Sequence, residues 1–441
     1  MKYVIISNSK FYTIYGEFSS MKKRILFYCV LGVLSVLVTI GGRILHRNIL
    51  KQTQEPISMI IASDIHYLSP DYRGEYFKEP SGMFDGKLVH YSSEYFDAFL
   101  SEVIEKQPQV LILSGDITLN GSIKSHEEVT AKLQKVQEAG TTVLVIPGNH
   151  DLHVTAGDYS PEEPVSVPST YAENFRDMYE NFGPAQASSK DAESFSYIYE
   201  ASPYLRILML DTNTLSKGFV ADSTLLWIED ELKKAKSAGA DVIAVSHQNL
   251  HIHSDLLYFS YQLYNADDLF ALFEKYDVDL NLSGHIHIQS VVTESTVPEI
   301  AVGALSICKT PYGEIVYDGK TIQYTTSYTD VSAYAKEQGF TDENLLDFEN
   351  YSTYYFEEVG RLQNYASFEE TELTEDEKSL LADTFAEINA LYFLGQPYNK
   401  EDFSEGITLW RTQKDDFTLK YIESMLKESD VDNQNVTILL K

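Results

Sequence analysis

The stretch "TVLVIPGNHD", residues 142–151, joins an aliphatic run to an amide, an imidazole and a carboxylate. The run from Val143 to Ile146 reads as a buried strand, and Pro147 and Gly148 mark its exit. A plain turn would need no Asn149, His150 and Asp151 in a row. The same arrangement recurs along the chain. "ISMIIAS" (57–63) leads into Asp64-x-His66, and "VLILS" (110–114) into Gly115-Asp116. "DVIAVS" (241–246) leads into His247, and "DLNLS" (279–283) into Gly284-His285-x-His287. Five of the eleven histidines fall in this set.

Helical patterns separate these strands, at about 93–107, before Gly140, and near 223–238 and 266–276. The alternation predicts an α/β (α+β layered) core, whose strand ends open into a shared crevice. After Gly284 the pattern turns to strands alone ("SVVTE", "EIAVGAL", "TIQYTT"), so part of the sheet should be antiparallel. Extended backbone would point residues i and i+2 the same way, letting Asp64 converge with His66 and His285 with His287. Imidazoles, carboxylates and an amide oxygen suit borderline divalent metals such as Mn, Fe or Zn. One carboxylate can bridge two ions about 3.5–4 Å apart, as in two-metal hydrolases.

The rest of the composition bounds the reading. The chain of 441 residues is 44% hydrophobic and 23% charged, enough for more than one packed core. Its net charge of −32 argues against a nucleic-acid polymer as partner, which would need a basic surface. An anionic substrate would therefore need a local positive centre. Two divalent ions less Asp64, Asp116 and one hydroxide would supply it. Lys22, Lys23 and Arg24 precede the uncharged stretch Ile25–Gly42, which predicts a membrane anchor at 25–42 within a stub and tether spanning 1–55. The catalytic part would lie outside the cell, or be secreted if the segment is cleaved, and Met21 is an alternative start. Residues 56–332 are expected to form the catalytic domain. Residues 333–441 are expected to form a small, helical, acidic domain, with Thr374 and Glu377 at capping-box spacing and a further helix at about 412–427. Cys29 and Cys308 predict no disulfide framework.

The ordered set D-x-H, G-D, G-N-H-D, H and G-H-x-H resembles the calcineurin-like metallophosphoesterases over roughly residues 57–330. "PGNHD" and "GHIHIQS" are most similar to the bacterial class III cyclic-nucleotide phosphodiesterase branch, and the anchored and extended ends look like secreted Gram-positive members. The resemblance implies a four-layer β-sandwich flanked by helices, with the small helical domain appended. It also implies two divalent metal ions. One would be held by Asp64, His66, Asp116 and His287, the other by Asp116 as bridge with Asn149, His247 and His285. His150 would assist the phosphate or its leaving oxygen, and Asp151 would hold the His150 tautomer. A metal-bridging hydroxide would attack a small phosphoester in line, phosphodiesters and cyclic nucleotides foremost.

The alternatives are an extracellular phosphomonoesterase or nucleotidase, an envelope phosphodiesterase, or a catalytically silent metal-stabilised binding module. His251 and His253 are candidates for substrate binding. Gln248 stands where many relatives carry a second histidine. Tyr72, Tyr76 and Phe77 could stack a base, though packing is the plainer role. Asp211, Thr212 and Asn213 could support the site from another strand end.

Overall fold

The computed structural model describes residues 55–78, 86–368, 371–413 and 416–440, with a few positions before them. The expected anchor at 25–42 lies mostly outside the described residues. Among the described residues, no helix is long and apolar enough to cross a membrane.

The three aliphatic runs that end on Asp64, Gly115 and Gly148 become β1 (Ile57–Ala62), β2 (Val110–Leu113) and β3 (Thr142–Val145). They are parallel and almost wholly buried, which explains why they read as continuous apolar runs. A two-stranded ribbon, β4 (Gly157–Asp158) with β5 (Val165–Ser166), follows. Then come β6 (Ser189–Lys190), β7 (Tyr197–Ser202), β8 (Leu205–Met209), β9 (Asp241–Val245) and β10 (Leu280–Ser283). The strand-only region gives β11 (Ser290–Val292), β12 (Glu299–Ala301), β13 (Pro311–Tyr317) and β14 (Thr321–Tyr328). A last strand, β15 (Asn435–Leu439), lies near the chain end.

These build two mixed sheets, in the orders β15-β14-β13-β1-β2-β3 and β11-β12-β10-β9-β8-β7-β6. Strand alternation shows how they pack. Ile207 and Met209 of β8 and Ile243 and Val245 of β9 share a core with Ile61 and Leu111 of the first sheet. Leu208, Val242 and Ala244 point the other way, onto α4 (Asp222–Ala238) and α5 (Ala266–Lys275). Helices α1 (Ser92–Lys106) and α2 (Ile123–Glu138) bring Phe96, Phe99, Val129 and Leu133 to the first sheet, and α3 (Ala172–Tyr179) adds Phe175. The result is the expected layering of helices, sheet, sheet and helices.

The C-terminal stretch forms α6 (Val331–Gln338), α7 (Glu343–Leu346), α8 (Phe348–Ser367), α9 (Glu375–Phe393), α10 (Ser404–Trp410) and α11 (Asp416–Lys427). The capping box is formed: Glu377 N–H donates to Thr374 Oγ1 at 3.3 Å, and Thr374 N–H to Glu377 Oε2 at 2.8 Å. Leu381, Ile388, Trp410, Ile422 and Met425 make a core with Ile286 and Ile288 of the catalytic half. Each of those two isoleucines contributes roughly 1.5–3 kcal/mol by its burial. The stretch is not purely helical, however. β15 pairs antiparallel with β14, Ile322 opposite Ile438, so the chain returns to the catalytic sheet.

Candidate metal centre

The seven predicted ligands gather at the ends of β1, β2, β3, β9 and β10. Two groups of acceptor atoms are close enough to hold an ion: Asp64 with His66 and His287, and Asp116 with His247 and His285. Asp116 joins them, its Oδ2 lying 3.3 Å from His247 Nε2 and 3.9 Å from His66 Nε2. Asn149 Oδ1 lies 3.1 Å from His247 Nε2. His287 Nε2 stands 3.2 Å from Asp64 Oδ1 and 3.2 Å from His66 Nε2.

Convergence does not come from extended backbone, and here the sequence reading needs correction. Asp64, His66, Asp116, His285 and His287 all adopt left-handed φ, at +53°, +47°, +46°, +69° and +64°. For residues with a Cβ such conformations cost of order 1–3 kcal/mol each, so packing must impose them. Two motif glycines show how tight that packing is. A Cβ on Gly284 would lie 1.7 Å from Ser63 Oγ, and one on Gly148 would lie 2.2 Å from Asp116 Oδ1. Glycine lets neighbouring ligand loops touch.

Each carboxylate has one oxygen tied and one presented. Asp64 Oδ2 accepts from Ser63 Oγ at 2.6 Å and from the His285 N–H at 2.8 Å. Asp64 Oδ1 is buried with no hydrogen-bond donor and faces His287. Asp116 Oδ1 accepts the His150 N–H at 2.7 Å, and Oδ2 faces the two histidines. His285 Nε2 meets the Ser260 carbonyl at 2.9 Å, which leaves Nδ1 as its ligating atom. A buried, unsatisfied carboxylate oxygen facing imidazole nitrogens is costly unless a cation completes it. The residues therefore fit a pair of divalent metal ions. Electrostatics agree. Burial would lower the His247 pKa, but the Asp116 carboxylate outweighs it and pushes it up to about 9. Burial would likewise raise the Asp116 carboxyl, but His247 holds it well below the usual carboxylate range.

His150 lies beside this cluster, its ring 5.0 Å from that of His66. Asp151 does not touch the His150 ring, a second correction. His150 Nδ1 donates to the Leu119 carbonyl at 2.8 Å, and that oxygen fixes the tautomer. Asp151 instead staples two loops. It accepts the backbone N–H groups of Gly148, Ile117 and Thr118 at 2.8, 3.1 and 2.8 Å. Burial and the nearby charge of Asp116 push its carboxyl up to about 7, against the pull of those donors.

His251 and His253 are a third correction, because they face away from the cluster. His251 Nε2 bonds the Val297 carbonyl at 2.9 Å, and His253 lies 3.1 Å from Glu299 Oε2. Glu299, with no sequence signal to mark it, is buried and also accepts from Leu250 N, His251 N, Asn281 Nδ2 and Ser283 Oγ. Burial would raise its carboxyl, but the His253 contact keeps it below the usual range. Gln248 pairs with Asn213, whose Nδ2 holds the Pro147 carbonyl at 3.1 Å, so both brace the GNHD loop. Asp211 accepts from Phe195 N, Asn213 N and Thr214 N and so shapes that support. Phe77 packs on Tyr159, and Tyr72 lies beneath Lys124. The Tyr76 side chain lies outside the described residues.

A cavity of about 460 Å³ opens from Asp116, His150, His285 and His287. Its far wall comes from α8, α9 and α11, through Phe356, Val359, Phe385, Phe393, Phe417 and Tyr421. The expectations drawn from the sequence include no helix at α8 and no part in the site for the C-terminal stretch.

No curated protein matches. Among solved structures, a dimetal phosphatase from Danio rerio is similar at 12% identity, covering 62% of this chain and 97% of that one, with a TM-score of 0.49. A purple acid phosphatase from yellow lupin is similar at 12% identity, covering 63% and 52%, with a TM-score of 0.43. Residues 330–432 match the family described as the C-terminal domain of cyclic nucleotide phosphodiesterase. Residues 57–289 match the calcineurin-like phosphoesterases, so the chain belongs to that family and is a phosphoric ester hydrolase.

Proposed function

We propose that the chain hydrolyses phosphodiesters, with cyclic nucleotides among the candidate substrates. The carrying observation is the cavity that runs from the metal-ligand cluster to an apolar, aromatic wall. A phosphate group fills only the near end. The far end gives a second ester substituent a place to bury a ring or alkyl body.

Asp64, His66, Asp116 and His287 would hold one divalent ion, and Asp116, Asn149, His247 and His285 the other. When bound, such ions polarise phosphoryl oxygens and lower the pKa of water. His150 does the chain's own proton work. With Nδ1–H committed to the Leu119 carbonyl, the ring donates from Nε2 only as imidazolium, and that proton goes to the leaving oxygen as the ester P–O bond breaks. Water supplies the new P–O bond.

Full-length chain loaded with Mn²⁺ should cleave bis-p-nitrophenyl phosphate faster than p-nitrophenyl phosphate, and cyclic AMP should be tested beside them. Faster cleavage of the monoester would overturn the diester assignment in favour of the phosphomonoesterase. Silence on all three with metals bound would favour a binding module.

A further inference from the structure

The far wall of the cavity is lined by rings, among them Phe356 of α8, Phe385 and Phe393 of α9, and Tyr421 of α11. The Phe356 and Phe393 centroids lie 5.2 Å apart, and those of Phe385 and Tyr421 6.1 Å. Asn389 stands among these rings and also lines the cavity. Phe385, Asn389 and Phe393 are spaced four apart along α9, so they form one stripe. Asparagine is a poorer helix former than Ala390 and Leu391 beside it, so its place inside the helix needs another reason.

One reason is visible, and it uses half of the side chain. The Tyr421 hydroxyl donates to Asn389 Oδ1 at 3.1 Å. That bond satisfies a hydroxyl on a residue only 7% exposed, and it turns the amide so that Nδ2 is left over. Among the described residues, Nδ2 makes no hydrogen bond. An amide nitrogen carries two N–H donors. A donor set into an apolar wall discriminates between ligands that can accept from it and ligands that cannot.

We propose that Asn389 is a specificity-determining residue whose Nδ2 donates to an acceptor atom on the edge of a heteroaromatic ring, of the nucleobase class, carried by the substrate's second ester substituent. This rests on the phosphodiester reading and narrows it. The rings of the wall take the faces of a bound ring by stacking, which any flat ring satisfies. The amide reads the edge, where an alkyl group or a plain phenyl ring offers no acceptor. Asn389 thus makes a generally apolar wall selective.

The test uses the full chain loaded with Mn²⁺ and two diesters that share one leaving group and one charge. These are thymidine 5′-p-nitrophenyl phosphate and phenyl p-nitrophenyl phosphate. The parent should show the lower KM for the thymidine ester. Asn389→Asp keeps an oxygen for Tyr421 but has no N–H, and it should shift the ratio of the two KM values roughly 3- to 10-fold against the thymidine ester. Asn389→Leu should shift it the same way. General damage to the site moves both esters together and leaves the ratio alone. An unchanged ratio in Asn389→Asp would overturn the proposal, as would a parent without preference for the thymidine ester. Calorimetry with thymidine 5′-monophosphate and phenyl phosphate gives the corresponding ratio without turnover. If the parent cleaves neither diester, the phosphodiester reading falls, and calorimetry still decides position 389. A shift toward phenyl phosphate in Asn389→Asp then upholds the contact with the ring edge, and an unchanged ratio overturns it.

Discussion

The tripeptide His-Ile-His occurs twice, at 251–253 and 285–287, and the two copies differ in almost everything but composition. In the second copy both histidines take left-handed φ, face Asp64 and Asp116, and leave Ile286 buried against the C-terminal helices. In the first copy Ile252 is exposed, and the histidines bond Val297 and the neighbourhood of Glu299. The carboxylates explain the difference. Both oxygens of Glu299 are occupied by donors from the protein itself. Asp64 and Asp116 each keep an oxygen turned toward imidazole nitrogens. A buried carboxylate saturated by the chain is structural, whereas one left open is a ligand.

Substitutions at the two copies should separate these roles. Asp116→Ala and His285→Ala should remove metal and abolish turnover; either variant retaining two ions by elemental analysis would break the contrast. His150→Ala should slow diester hydrolysis by roughly 10²–10⁴-fold with metal content unchanged, and loss of metal from it would place His150 among the ligands instead. Glu299→Ala should destabilise the fold by about 3–5 kcal/mol in urea titrations, because it leaves buried donors without an acceptor. It should also weaken metal affinity roughly 10–100-fold through the loops that carry His247 and His285. A stable Glu299→Ala chain with unaltered metal uptake would erase the distinction between the two carboxylate types.

The next effect is set by pH. His90 sits under α8, bonded to the Tyr351 hydroxyl at 2.7 Å, and burial pushes its pKa down to about 3. The folded state keeps His90 neutral while the unfolded chain protonates it near pH 6.5. Stability from this group is thus intact above pH 6.5 and falls by ~1.4 kcal/mol per unit as pH drops toward 3. The difference between parent and His90→Phe stability curves should show that slope, and parallel curves would refute it. The smallest effect belongs to His251→Ala, which loses one hydrogen bond, about 1 kcal/mol, with unchanged turnover. A large loss of turnover there would restore it as a substrate contact.

Much of this was legible in the sequence, for identifiable reasons. Parallel buried strands are continuous aliphatic runs, so the strands ending at Asp64, Gly115, Gly148, His247 and Gly284 stood out with the polar residues that end them. The helix α9 announced itself through Thr374 and Glu377. By contrast α8, "FENYSTYYFEEVGRLQNYAS", is crowded with aromatic residues of modest helix propensity, and its N-cap residue Asp347 makes no side-chain capping bond. β13 begins at Pro311 and β15 stands alone after a helical stretch, so neither carried a clear local signal.

By itself, then, the sequence determined which strands end in metal-binding chemistry, because residue type and strand end are local properties. The tertiary structure decided the direction of each side chain: strained backbone turned Asp64 and His287 into one cluster, Glu299 drew His253 to the opposite side, and Leu119 took the place expected of Asp151. It also brought α8, α9 and α11 against the metal-ligand loops to form the far wall of the cavity. Those outcomes depend on neighbours tens to hundreds of residues away in the chain, and only packing brings such neighbours together.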